Sequence, residues 1–263
     1  MKKLTKKTIF IISFIISIFL LIYLCNIAYS IFLNKLYMEN YYQDNTIFSI
    51  NKIVLFSSAN ANSVINSNNT ITISDLCQYT DIAVFIDNST NSYNSENTLK
   101  SVSIENITMN TSPKIGTTNL YYKNLNNFST PKFDTEYKID NSLNFNISSE
   151  DEIDYSSPTL YNNCANPITI SYVNSNLIDS YTINNENQIS YDGSLLKECN
   201  IILNDLQCSF SFYIIIENNL GHKYRCPVYI DIPLSNENTS IYDGTYIYTY
   251  FPNHKFYLYT NWE

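Results

Sequence analysis

Glycine is nearly missing from this chain, with four among 263 residues. Phosphate-cradling loops and nucleophile elbows rely on glycine for their tight backbone geometry, and neither pattern occurs. Arginine appears once, as Arg225, which leaves little for bidentate phosphate recognition. The net charge is −9. Four of the lysines (Lys2, Lys3, Lys6, Lys7) precede the first apolar run, so the rest of the chain carries −9 less those four charges, −13. A basic face for nucleic-acid phosphates is therefore not expected. The only histidines are His222 and His254, and neither Cys-x-x-Cys nor His-x-x-x-His spacing is present, so zinc is not expected. No catalytic, cofactor-binding or metal-ligating residue is assigned from the sequence, and the expected role is non-enzymatic.

Residues 9–33, IFIISFIISIFLLIYLCNIAYSIFL, carry no charge. About 20 apolar residues span the hydrocarbon core of a bilayer as a helix. Four lysines lie before the run, whereas Lys35, Glu39 and Asp44 follow it. The positive-inside rule then places residues 1–8 in the cytoplasm, residues 9–33 across the cell membrane, and everything beyond outside it. Ala28 and Ser30 have the spacing of a cleavage site, but the run is longer than a signal-peptide core. A lipid anchor at Cys25 would call for a small residue before it, and Leu24 stands there. Residues 34–45, free of glycine and proline, are expected to extend the helix as a short stalk.

From residue 46 the pattern becomes one of short alternating runs rich in Ile, Val, Tyr, Phe and Thr. Examples are residues 48–56, 70–74, 80–87, 99–109, 143–148, 167–173, 208–217, 223–232 and 245–251. Such spacing predicts a mainly β domain, a β-sandwich of immunoglobulin-like or jelly-roll-like type, over residues 46–263 behind one transmembrane helix. A short helical turn is expected near 194–199. Asn and Ser fill the connections where glycine is usual, since Asn tolerates left-handed angles and closes turns with its side chain. The acidic stretch 148–158 is the best candidate for an internal boundary; a single continuous sandwich is favoured because similar strands lie on both sides of it.

Cys77, Cys164, Cys199, Cys208 and Cys226 lie beyond the apolar run. An odd count leaves at least one unpaired. In the hairpin 208–232, alternation puts Cys208 and Cys226 on the core face, with position i opposite about 439 − i. Cys208 then faces about residue 231 and Cys226 about residue 213, an offset too large for a disulfide. Cys199 and Cys208 could close a small loop, and buried free thiols are the plainer expectation. His222 and His254 are expected in solvated turns. Glu150, Asp151, Glu152 and Asp154 form the densest carboxylate group but lack the regular spacing of a calcium loop, so a charged loop is expected. Asn-x-Ser/Thr sequons at Asn68, Asn88, Asn106, Asn110, Asn127, Asn146 and Asn238 carry little weight in so asparagine-rich a chain.

The C-terminal stretch TYIYTYFPNHKFYLYTNWE reads as a hairpin turning at FPNHK. Tyr246, Tyr248 and Tyr250 share a face, and Tyr246 would stand opposite Tyr259 and Tyr248 opposite Tyr257, a cross-strand ladder. Such a ladder stabilises a half-wet sheet, and it can also stack on sugars or template strand addition at a sheet edge. The expected function is that of a membrane-anchored interaction or structural module meeting envelope polymer or another protein. An extracytoplasmic hydrolase and an accessory subunit of a membrane complex are the alternatives.

Overall fold

A computed structural model of the chain describes residues 6–44, 47–88, 95–149, 155–184 and 189–258. Two compact units are present, Met1–Thr46 and Ile47–Glu263. The first is a single helix, α1 (Lys6–Asp44), whose segment Ser13–Phe32 is long and apolar enough to cross a membrane. Along Ser13–Phe32 nearly all side chains are exposed, Phe19 at 69% and Leu21 at 65%. An isoleucine-rich stretch so exposed is poorly suited to water. In lipid the same helix satisfies every backbone group internally.

The second unit is mainly β and holds two sheets. Its elements in chain order are β1 (Phe48–Ile65), β2 (Thr70–Asn88), β3 (Leu99–Thr111), β4 (Thr117–Tyr122), β5 (Ser142–Ser148), β6 (Thr159–Tyr161), β7 (Ile168–Ser175), β8 (Tyr181–Asn184), α2 (Ser194–Glu198), β9 (Ser209–Asn218), β10 (Lys223–Asp231), β11 (Tyr246–Tyr250), β12 (His254–Lys255) and β13 (Tyr257–Leu258). The first sheet runs β11-β1-β2-β7-β4, with β12 also on β1 and β8 also on β2. The second runs β13-β10-β9-β3-β5-β6. All pairs are antiparallel except β5–β6. β5 and β6 flank the acidic stretch and pair with each other, so the strands on its two sides join one sheet.

One hydrophobic cluster draws on both sheets. Ile53, Leu55, Ile82 and Ile170 come from the first; Phe210, Ile214, Val228 and Ile230 come from the second. Aromatic contacts tie the sheets together: Tyr172 stacks on Phe210 at 6.1 Å, and Phe48 meets Tyr224 edge-on at 6.1 Å. These are the alternate positions that the strand patterns place inward.

The runs read as strands at 48–56 and 70–74 are parts of much longer strands. β1 and β2 form one hairpin of 18 and 19 residues, in which Asn60 stands opposite Cys77 and Asn62 opposite Ser74. Register shifts at Ile50/Lys52 and Asn60/Asn62 let the strands bend without losing their ladder. The Asn and Ser side chains that suggest a loop are simply the residues of an extended ribbon. The β9–β10 hairpin is close to expectation: Cys226 stands opposite Ile214, and Ile232 N–H donates to Cys208 O at 2.9 Å. The register differs from the expected one by one residue because the turn closes from Asn218 to His222.

Left-handed backbone angles occur at Asn69, Asn106, Asn176, Asn200 and Asn253, and at Asp75, Ser129 and Cys164. Asparagine thus takes over most of the work that glycine does elsewhere. Gly193 stands where a side chain has no room. At Gly193 a Cβ would lie 2.3 Å from Ile241 O and 2.4 Å from Gly244 O, both backbone atoms. Gly193→Ala is expected to cost about 2–3 kcal/mol in urea unfolding, as overpacking against rigid backbone does. Gly221, with φ +84° and nothing within 4 Å of its Cβ position, has only the backbone penalty. Gly221→Ala is expected to cost about 1 kcal/mol, and Gly221→Asn less.

Residues 47–263 carry their own core and are expected to fold without α1. Circular dichroism of that fragment should give a β spectrum and one cooperative melt.

Candidate functional site: a buried ion pair and an exposed sheet edge

β2 carries a carboxylate, Asp81, at the head of the apolar run Ile82–Ile86. Asp81 points to the face of the first sheet opposite the core, yet its side chain is fully buried. Residues 123–134 cover it. Lys123, just past β4, places its ammonium 3.0 Å from Asp81 Oδ2 and is itself fully buried. The remaining ammonium protons go to Thr130 O at 2.7 Å and to Lys132 O. Asp81 Oδ1 accepts from Ser171 Oγ at 2.7 Å, and Oδ2 accepts from Ser129 N–H at 2.8 Å. Ser129 holds φ +63°, a strained angle for a residue with a side chain, to make that bond. The Tyr79 ring lies 5.7 Å from the ammonium.

Burial pushes the Asp81 carboxyl up to about 6, against the opposing pull of Lys123 and the hydrogen bonds from Ser171, Lys123 and Ser129. The same burial lowers Lys123, opposed by Asp81. Every polar atom of the pair has a partner, so the arrangement pins the 123–134 segment to the sheet and leaves no group aimed at a substrate. Sequence reasoning missed it. The one visible signal is Asp81 itself, a charge directly before the apolar run Ile82–Ile86.

The C-terminal tyrosines do not form the expected hairpin. β11 pairs with β1, so that Tyr248 stands opposite Leu55 and Tyr246 opposite Ser57. β12 continues along β1, but β13 joins β10 in the other sheet, with Tyr257 opposite Arg225. Tyr248 therefore does not face Tyr257, and Tyr259 and Trp262 lie outside the described residues. Tyr246 is buried in the core; Tyr248 stacks on Tyr250 along the same strand at 5.7 Å. Tyr250 Oη donates to Tyr229 O of β10 at 3.3 Å, bridging the two sheets, and burial pushes its phenol up to about 12. The tyrosine face closes the open side between the sheets.

On its other face β11 shows Ile247, 62% exposed, followed by Phe251 at 72%. Among the described strands β11 has a neighbour only on the β1 side. No charged residue interrupts Tyr246–Phe251. The structure thus brings an unpaired backbone edge together with apolar and aromatic side chains on both of its faces.

The other candidates fall apart in space. His222 is exposed at the β9–β10 turn, while Cys226 is buried, directed at the core and in contact with Pro227 O at 3.6 Å. His254 sits in β12 opposite Ile50 and not in a turn, because the chain there still follows β1. All six cysteines are free, so Cys208 and Cys226 are unbonded and Cys199 and Cys208 close no loop. Burial raises the Cys164 and Cys226 thiols to about 12 and Cys199 to about 11, and raises Cys77 and Cys208 as well. Protonated thiols of this kind are poor nucleophiles. The carboxylates Glu150, Asp151, Glu152 and Asp154 lie outside the described residues, and among the described residues no group of His, Cys, Asp and Glu is placed to hold a metal. Comparison of the chain with protein-family models, curated proteins and solved structures finds no match.

Proposed function

We propose that this chain is a membrane-anchored, non-catalytic interaction module. Its α1 helix crosses the cell membrane with the lysine-rich end in the cytoplasm, and its two sheets form a β-sandwich outside. The module meets the envelope, either its polymer or another protein, through the β11 edge. The observation that carries this reading is the β11 edge, which among the described residues has no strand on its far side and no charge over Tyr246–Phe251. Sheet edges are normally blunted by charge, proline or a covering element, because bare backbone donors and acceptors recruit another strand. Here Ile247 and Phe251 stand exposed on one face and Tyr248 on the other. Main-chain pairing with flanking apolar contacts is the usual way an extended segment adds to a sheet.

The test is co-sedimentation of the full chain, in detergent, with envelopes of its own cells depleted of this chain. Wild type is expected to pellet. Ile247→Lys/Phe251→Lys is expected to stay in the supernatant while keeping its melting temperature, since both residues are exposed. A wild-type chain that does not pellet defeats the module reading. Pelleting that survives the substitutions defeats the edge as its surface.

A further inference from the structure

At the end of the second sheet away from the β9–β10 turn lies a cleft of about 450 Å³. Ser209 is the register partner of both Asp231 and Thr111, so these three line up across β10, β9 and β3 on the face away from the core. Tyr229 precedes Asp231 by two residues on the same face and is 55% exposed. The opposite wall is the 203–207 segment, which contributes Asn204 and Gln207. That wall is held in place: Lys114 N–H donates to Asp205 O at 2.8 Å, and the Lys114 ammonium lies 2.7 Å from Asp205 Oδ1. Among the described residues, the side chains of Asn204, Gln207 and Asp231 make no hydrogen bond within the protein and are open to a ligand.

The geometry points to a binding site for uncharged sugar. Two amides, the hydroxyls of Thr111, Ser209 and Ser235, and a carboxylate offer donors and acceptors, the set that a polyhydroxylated ring requires. The Tyr229 ring supplies a flat, electron-rich face for the C–H-bearing side of a pyranose. The size is that of an ordinary small-ligand pocket, with room for about one or two sugar rings. The charge selects among sugars. No lysine or arginine lines the cleft and Asp231 is its one acidic group, so a phosphate-bearing saccharide meets repulsion with no cation to offset it.

The inference goes beyond the interaction-module reading by giving the domain a small neutral saccharide as ligand, and it does not rest on that reading. It uses a surface other than the β11 edge, so the two can fail separately. The experiment is saturation-transfer NMR on the full chain, in a detergent without a sugar headgroup, with N,N′-diacetylchitobiose, cellobiose and glucose 6-phosphate as probes at about 10 mM. At least one neutral disaccharide is expected to bind, and glucose 6-phosphate is not. Tyr229→Ala and Gln207→Ala are each expected to weaken binding by about tenfold, while Tyr229→Phe stays within about threefold because the ring remains. Ile247→Lys should leave sugar binding unchanged. The proposal is overturned if neither disaccharide binds, if glucose 6-phosphate binds as well as they do, or if Tyr229→Ala has no effect. In that case retention on envelopes through Ile247 and Phe251 still stands or falls by its own assay.

Discussion

Asp81→Leu is expected to lower the stability of the β unit by about 3–5 kcal/mol, the usual loss when one partner of a buried ion pair is removed. Three groups lose their partner at once. The Lys123 ammonium keeps only carbonyls, Ser171 Oγ loses its acceptor, and Ser129 N–H loses the bond that holds its left-handed angle. Lys123→Met is expected to cost less, by about 1–2 kcal/mol, because Asp81 keeps the bonds from Ser171 and Ser129 and can take up a proton. The double variant Asp81→Leu/Lys123→Met should regain most of the loss, since apolar replacement of a whole buried pair is often neutral. Urea unfolding of the four proteins, followed by tyrosine circular dichroism, measures this. If Asp81→Leu costs under about 1 kcal/mol, the pair does not hold the 123–134 segment in place.

The same pair fixes a pH dependence. The folded carboxyl of Asp81 sits at about 6, above its ordinary 3.8. The folded state therefore binds the proton more tightly than the unfolded chain does between those values. Its contribution to stability is fully present below about pH 4 and is lost as pH rises through about 6. The gap corresponds to roughly 3 kcal/mol. Stability of wild type minus that of the Asp81→Leu/Lys123→Met variant should thus fall between about pH 4 and 7 and then level off. A difference that rises over that range would mean that attraction from Lys123 outweighs the cost of burying Asp81.

What the sequence made legible follows from what alternation encodes. It tells which face a residue lies on, and so the core positions of β9 and β10 could be read directly: both strands alternate strictly and the Asn218–Gly221 turn joins them. The uncharged run within α1 was equally plain. Alternation does not tell which strand lies alongside. Alternation puts Tyr246, Tyr248 and Tyr250 on one face, but their neighbour is β1, nearly two hundred residues earlier, and nothing local encodes that. The ion pair was hidden for the same reason. Asp81 and Lys123 each end or interrupt an apolar run, but only the stacking of β2, β7 and β4 brings them together.

Phe256 is where the chain leaves one sheet for the other, and Phe256→Ala is expected to cost about 3–5 kcal/mol. β12 before it pairs with β1 and β13 after it pairs with β10. The ring between them is fully buried, 6.5 Å edge-on from Phe48, and its N–H donates to Phe48 O at 3.3 Å. Truncation would leave a cavity at the point where Phe48 and Tyr224 already join the sheets, so both crossing strands lose their anchor together. Amide hydrogen exchange should show this directly: protection at Lys255 and Tyr257 drops in Phe256→Ala while protection within β9 is kept. Phe256→Leu should cost about 1–1.5 kcal/mol, and Phe251→Ala, at a ring that is 72% exposed, should fall within about 0.5 kcal/mol of wild type. If Phe251→Ala proves the more costly of the two alanine variants, the chain does not cross between the sheets at Phe256, and the tyrosine hairpin read from alternation is the better description of the C-terminal strands.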